Sequence, residues 1–346
     1  MCAGVSEPNE KKREAPPPLF VISQDFELHW GVRDKRSVEA YRENLIGVRT
    51  SLPATLALFK EYDIHATWAS VGFLFFEGKD DLLANLPSAL PAYTTSKYSP
   101  YGALAQIGRN EGSDPFHFAP SLLRSISETA GQEVGTHTFS HYYCLEDGQD
   151  ATSFEADLQA AAKAAKRLGI TLRSIVFPRN QVNESYLPIC SGLGLRAYRG
   201  TPKFAAYSPR NNERNGSWLA RGTRLADNYV PLSGHNAFPI SSTRSDGICD
   251  VPASFFLRPY SHQLAALEPL RLRRILAALT HAAKFGLTYH LWWHPHNFGI
   301  NRHENLAFLR RILEHVAMLR SIYDMRSVTM TEAAELNHIH RRDTAA

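Results

Sequence analysis

Short apolar runs that end in polar side chains alternate along this chain with longer segments whose apolar positions recur every three or four residues. The first run is Leu19-Phe20-Val21-Ile22, followed by Ser23-Gln24-Asp25-Phe26-Glu27. Its length and β-branched content predict a buried strand with a polar C-terminal end. Helix is expected from about Val38 to Tyr62, with Leu52, Leu56 and Phe59 as its apolar stripe and Pro53 marking a break that starts a second helix. A strand over residues 64–72 comes next, its alternation imperfect, as expected when both faces are covered. Residues 87–120 are rich in Pro, Tyr, Ser and Gly and predict a long irregular excursion, a candidate substrate wall.

Beyond it the alternation resumes. A helix near 121–129 precedes a strand at 133–136, and an alanine-rich helix over 153–168 takes Ser153 as N-cap and Gly169 as C-cap. A strand at 174–177, a short helix at 185–193 and a strand at 195–198 follow. Residues 201–248, dominated by Gly, Asn, Ser, Pro and Arg, are expected to be mostly loop. A strand at 251–256, an amphipathic helix at 264–285, an aromatic strand at 289–293 and a helix at 304–323 complete the series. Strands alternating with helices indicate a parallel sheet, open or closed into a barrel. With no internal repeat, one ordered domain is the simpler reading, between a charged, proline-rich tail (1–18), expected to be mobile, and a C-terminal tail (338–346).

Composition narrows the partners. The 346 residues hold 38 Lys and Arg against 34 Asp and Glu, a net charge of +4, too balanced for nucleic acid to be the main partner. No apolar run approaches the roughly 18 residues of a membrane span. The opening MCAGVSEPNEKKREAPPP has no apolar core of an export signal, so a cytoplasmic location is expected. Cys2, Cys144, Cys190 and Cys249 are scattered and suit a reducing compartment better than a disulfide framework.

Chemistry gathers at strand ends. His137-Thr138-Phe139-Ser140-His141 follows a strand, and its i, i+4 histidines, on one helical turn, can grip one cation; such pairs are also found as plain structural residues. Asp25 and Glu27, two apart after an apolar strand, are costly to bury unless paired, protonated or metal-bound. They can supply a third ligand and an acid–base group, or simply cap the following loop. The strand at 289–293 delivers His294 and His296, either of which can serve as a general acid near neutral pH. Phe177-Pro178-Arg179-Asn180 ends another strand with a guanidinium suited to a carboxylate. Trp30, Trp293, Tyr142 and Tyr143 lie beside these motifs, as sugar-stacking groups or as core.

These motifs resemble the polysaccharide deacetylase (NodB homology) family, carbohydrate esterase family 4, over roughly residues 19–337. Asp25-Phe26-Glu27 is similar to the family's first motif, with Asp-x-Glu in place of two adjacent aspartates. Tyr62-Asp63-Ile64-His65-Ala66-Thr67-Trp68 resembles its second strand, and His137-Thr138-Phe139-Ser140-His141 its metal-binding H-[ST]-x-x-H motif. Phe177-Pro178-Arg179 resembles the arginine motif, without its usual R-x-P-x-G form, and Leu291-Trp292-Trp293-His294 the final strand.

The resemblance implies a distorted (β/α) barrel with about seven parallel strands, outer helices and one divalent metal, most commonly zinc. It implies that Glu27, His137 and His141 hold the metal, that Asp25 is the base with Arg179 as its partner, and that His294 is the acid. The division of labour between Asp25 and Glu27, and between His294 and His296, stays open. Asn180, His296 and Arg199 are assigned to substrate contact, and a backbone N–H near Asn180 to the oxyanion. The implied reaction is hydrolytic removal of an N-acyl group, in the first instance acetyl, from a saccharide or sugar precursor. A cytosolic amidohydrolase of small C–N compounds, its pocket closed by 87–120, and a glycan-binding relative without activity are the alternatives.

Overall fold

Strand β1 (Leu19–Phe26) is buried along its whole length, and its side chains alternate between two environments. Phe20, Ile22 and Phe26 join the large apolar cluster under the outer helices, whereas Leu19 and Val21 join a smaller cluster inside the sheet's curve. The inward face of β1 therefore reads Leu19, Val21, Ser23, Asp25: apolar at the bottom, polar at the top. That one alternation sets a dry floor beneath a polar mouth.

The structure, a computed structural model, describes residues 17–202, 207, 218–239 and 247–345. After β1 come α1 (Val38–Glu61), β2 (Ala66–Ser70), α2 (Lys79–Leu83), α3 (Pro120–Ser127), β3 (Gln132–Thr136) and α4 (Ala151–Arg167). They are followed by β4 (Ser174–Ile175), α5 (Leu187–Gly192), β5 (Ala197–Tyr198), α6 (Trp218–Asp227), β6 (Cys249–Asp250) and β7 (Phe255–Phe256). Then α7 (Glu268–Lys284), β8 (Thr288–Trp293), α8 (Arg302–Tyr323), β9 (Arg326–Val328) and α9 (Met330–Ala345) close the chain.

All strand pairs are parallel, in the order β6-β5-β4-β3-β2-β1-β8-β7, so eight strands form the wall where about seven are expected. The ends of this order are consecutive in the chain. Val251 and Ala253 donate to Tyr198 and Gly200 on one side, and Ser254 and Leu257 to His290 and Trp292 on the other. The single strand expected at 251–256 is thus two short strands flanking Pro252, and the segment between them closes a distorted (β/α) barrel. β9 pairs with Leu19–Val21 of β1, below the stretch Ser23–Phe26 that pairs β2. Met330, Ala333 and Ala334 of α9 then fill the bottom of the barrel beside Leu19, Val21, Val176 and Ala197.

Several expectations are corrected. Pro53 does not break α1, because it sits on the solvent face, where the carbonyl it leaves without a donor is open to water. Ser153 is not the N-cap of α4; Asp150 is, accepting from the Ser153 N–H at 2.8 Å while Ser153 Oγ accepts from the Asp150 N–H at 3.3 Å. The stretch 201–248 contains α6, and residues 338–345 continue the last helix. The tail expected at 1–18 lies almost wholly outside the described residues. No helix among the described residues is long and apolar enough to cross a membrane.

Candidate active site

Strand parity assembles the first half of the site. Asp25 projects inward from β1, and Arg199, two residues after the inward Ala197, meets it. The guanidinium donates to both carboxylate oxygens, Nη1 to Oδ1 at 2.6 Å and Nη2 to Oδ2 at 2.8 Å. Arg199 has no exposed surface; it also lies over the Trp292 ring and donates to Ser23 Oγ at 3.0 Å. Ser23 in turn contacts His290 Nε2 at 2.8 Å, and His290 Nδ1 donates to the Val251 carbonyl at 3.0 Å. Burial alone raises the Asp25 carboxyl, but Arg199, with His137 and His294 nearby, outweighs it and keeps the group ionised, below its ordinary range.

The second half is a loop, not the helical turn expected for the histidine pair. After β3 the chain takes left-handed backbone at Thr138 and His141, with φ of 64° and 57°. A buried carboxylate on α4 pins it: Asp157 accepts from the Phe139 N–H at 2.6 Å, from the Ser140 N–H at 3.2 Å and from the Ser140 hydroxyl. Burial pushes Asp157 up to about 7, against the pull of these donors. Thr138 Oγ1 accepts from the Tyr142 N–H at 2.7 Å, and the Thr138 and Phe139 carbonyls accept from Gly72 and Phe73. With the loop so held, His137 and His141 stand with ring centroids 5.1 Å apart.

Glu27 reaches both rings. Its Oε2 lies 3.0 Å from His141 Nε2 and 3.3 Å from His137 Nε2, and one donor atom from each of the three residues falls within 4.8 Å of the others. His137 donates its Nδ1 proton to the Val176 carbonyl at 2.8 Å. That contact fixes the ring so that its Nε2 faces the Glu27 carboxylate. Burial opposes ionisation of Glu27, yet His294, His137 and His141 hold it well below its ordinary value, and burial lowers His141 to about 4. Two imidazoles and one carboxylate, buried and convergent, are a donor set that suits a divalent metal such as zinc, so these residues fit one.

Gly31 makes room for this carboxylate. A Cβ there would lie 1.8 Å from Glu27 Cδ and 2.0 Å from Oε1. Gly31→Ala is therefore expected to push Glu27 out of line and weaken metal affinity by about 10–100-fold in a folded protein, as displaced ligand support does. Titration with zinc against a competing chelator checks it; an unchanged affinity refutes the role given to Gly31.

His294 and His296 are separated by exposure. His294 is 23 % exposed at its side chain, and its Nε2 lies 3.6 Å from Glu27 Oε1 and 3.8 Å from Asp25 Oδ2. His296 is buried behind it, ring stacked at 5.0 Å, and burial with the neighbouring His294 lowers it to about 3. The loop carrying both is seated on α1: the His296 carbonyl accepts from Asn44 Nδ2 at 3.1 Å. Gly47 and Gly299 meet so closely that a Cβ on Gly47 would lie 2.1 Å from the Gly299 oxygen.

These groups open into one cleft of about 670 Å³. Its described lining includes Asp25, Glu27, Tyr41, Asn180, Phe256, Trp292, His294 and His296, but nothing from 87–120. That excursion instead braces the loop after β1 from behind, where Arg33 donates to the Lys97 and Tyr98 carbonyls and Trp30 Nε1 donates to His117 O at 2.9 Å. The outer wall comes from Tyr207 and α6. Trp30, Trp293, Tyr142 and Tyr143 are all core. The aromatic groups lining the cleft are instead Tyr41, Tyr207, Phe255, Phe256 and Trp292, Trp292 having the opposite parity to Trp293 on β8.

Three further expectations are corrected. Arg179 is not the partner of Asp25; consecutive left-handed residues, Arg179 (φ 58°) and Asn180 (φ 53°), turn it towards Asp34 Oδ1 at 2.6 Å and the Gly31 carbonyl at 3.1 Å. Arg199, assigned to substrate contact, is the buried partner instead. The Asn180 N–H is spent on the Phe177 carbonyl at 2.9 Å, so it is no oxyanion donor. Asn180 Oδ1 accepts from Arg199 Nη2 at 3.0 Å, which leaves its amide NH2 as the group to face the cleft. Counting two from the inward Ala197 is enough to find Arg199; Asp157, Gly31 and Asn44 carry no local signal.

Fold and site together are a parallel barrel with a polar mouth, two acids at the end of β1 and a histidine pair after β3. A profile described as polysaccharide deacetylase matches residues 46–198. With that match, residues 46–198 carry a polysaccharide deacetylase domain, set in the distorted (β/α) barrel that the sequence predicts. Among solved structures, a Mycobacterium smegmatis protein classed as a polysaccharide deacetylase is similar over 98 % of this chain and 95 % of its own, with 14 % identity and a TM-score of 0.58. The allantoinase PuuE is similar over 97 % of this chain and 98 % of its own, with 12 % identity and a TM-score of 0.51. A 4-α-glucanotransferase from Thermococcus litoralis matches 92 % of this chain but 40 % of its own, with 10 % identity and a TM-score of 0.51. At these identities the likeness is one of fold. No curated protein matches the sequence.

Proposed function

We propose that the chain is a metal-dependent hydrolase that removes an N-acyl group, acetyl in the first instance, from an amino saccharide or its precursor. The observation that carries this reading is the convergence of Glu27, His137 and His141 beside the Asp25–Arg199 pair and His294, at the floor of one cleft. A divalent cation, with zinc the favoured candidate for two histidines and a carboxylate, would be held by Glu27, His137 and His141 and would polarise the acyl carbonyl and acidify water.

The chain's own groups do the proton work. Asp25, ionised and gripped on both oxygens by Arg199, takes a proton from the attacking water as its oxygen adds to the acyl carbon. His294, exposed to the cleft and within 3.8 Å of Asp25, delivers a proton to the departing nitrogen as the C–N bond breaks. His296, kept neutral by burial, supports the ring of His294 and is not the acid. The Asn180 amide, oriented by Arg199 and lining the cleft, is assigned as a donor for the oxyanion of the tetrahedral adduct. Intact acid, base and ligand residues argue against a glycan-binding relative without activity.

Acetate release from N-acetylated saccharides, followed with and without zinc, tests the reading. Activity is expected to vanish with a chelator and return with zinc, and His137→Ala is expected to lose the metal by elemental analysis. Chelator-resistant turnover, or turnover on small cyclic amides alone, overturns it.

A further inference from the structure

Two polar side chains on the His294 side of the cleft have no hydrogen-bond partner among the described residues. Asn297 is only 9 % exposed and lines the cleft. Its backbone N–H donates to the His294 carbonyl at 2.9 Å, but its side-chain amide makes no bond within the described protein. Tyr41, in the first turn of α1, lines the same cleft with its ring packed on the core and set edge-on to His296 at 5.4 Å. Its hydroxyl is likewise unbonded among the described residues. Asn44, three residues further along α1, holds the His296 carbonyl at 3.1 Å. One face of one helix therefore seats the loop after β8 and presents Tyr41 beside it. Native structures rarely leave a buried amide unpaired, and one that lines a cleft is placed for a ligand.

His294 also borders an apolar surface. Its ring lies 5.7 Å from Trp292 and 5.8 Å from Phe256, which pack on each other at 4.6 Å. A pyranose carries the same two kinds of surface, C–H groups on its faces and hydroxyls round its edge. From this arrangement we infer that Tyr41 and Asn297 read the hydroxyls of the sugar ring that bears the scissile amide, with Trp292 and Phe256 as the surface under that ring. The inference rests on the hydrolase reading, which sets the leaving nitrogen at His294. A phenol and a carboxamide each give and accept hydrogen bonds, as every sugar hydroxyl does. A phosphate or carboxylate only accepts, and would leave the Asn297 oxygen facing it without a donor. The cleft volume of about 670 Å³ is that of a site for one small ligand.

The test uses the full chain with zinc. Acetate release is compared for N-acetylglucosamine, its trimer, and the 3-, 4- and 6-deoxy analogues of the monosaccharide, on the wild type, Tyr41→Phe and Asn297→Ala. Binding of N-acetylglucosamine to the same three proteins is measured by calorimetry. On the wild type, at least one deoxy analogue is expected to fall about tenfold below the parent sugar in kcat/KM, the worth of one hydrogen bond in a closed site. Each variant is expected to lose about tenfold on the parent sugar. In that variant, deleting the hydroxyl it no longer reads is expected to cost little more, since the two changes remove one interaction. The analogues test the inference on the wild type even where a variant fails to fold. Wild-type rates alike on the parent and all three analogues, or variant and analogue losses that simply multiply, overturn the inference and leave the hydrolase reading in place. Binding of N-acetylglucosamine that weakens in both variants, with no acetate released from any sugar, upholds the inference and defeats the hydrolase reading instead. Binding and release both absent defeat the two together.

Discussion

Asp25→Asn is expected to lower kcat for acyl release by about 10³-fold with metal content unchanged. Removing a positioned general base typically costs between about 10² and 10⁴ in rate. Asn keeps the size of the side chain but cannot take a proton, and position 25 is not among the convergent donors of Glu27, His137 and His141. One of its two terminal atoms becomes an N–H donor facing Arg199, which now donates to both carboxylate oxygens, so some stability is lost as well. Thermal unfolding and elemental analysis on the same preparation keep the two effects apart. A fall in kcat with KM little changed is the signature of an interaction made in the transition state. Glu27→Gln is expected to behave differently, losing metal before rate can be measured. The pair of variants therefore settles which acid is base and which is ligand, and an Asp25→Asn protein within tenfold of wild-type kcat ends the assignment of Asp25.

What the sequence makes legible here follows the range of the interactions. The alternation of β1 and the acids two apart at its end are local, and both place Asp25 and Glu27 correctly at the mouth of the barrel. The same logic of parity misleads when applied to motifs rather than faces. Trp293 stands next to His294 in the chain yet belongs to the outer core, whereas Trp292 and His294 share the inner side. Arg179 follows a strand, but its left-handed turn is adopted by Arg and Asn, without the glycine that usually announces one, so the sequence carries no sign that the side chain swings away from Asp25. The histidine pair converges through Asp157, which is 16 residues beyond His141 and on another element; no local period encodes that contact. The excursion 87–120 reads as a wall because irregular segments often carry function, but its polar groups are used to brace the loop that holds Gly31.

Arg199→Met is expected to destabilise the protein by about 3–5 kcal/mol, the cost of leaving one member of a buried ion pair behind. Asp25 would stay buried with no guanidinium on either oxygen, and Ser23 and Asn180 would each lose a donor. For a chain of this size the fall in Tm is roughly 5–10 °C. Stability alone does not separate the two arginines of the site, because Arg179→Met also strands a buried partner, Asp34. Coupling does. In the double variant Asp25→Asn with Arg199→Met no buried charge remains at that pair, so its loss is expected to fall short of the sum of the single losses by at least about 1 kcal/mol. Asp25→Asn with Arg179→Met is expected to be additive within about 0.5 kcal/mol, since Arg179 is bound to Asp34 and Gly31 and not to Asp25. Denaturant unfolding of the single variants and both double variants measures the two cycles. Coupling between positions 25 and 179, with none between 25 and 199, would return the role of partner to Arg179 and remove the polar floor on which the assignment of the base depends.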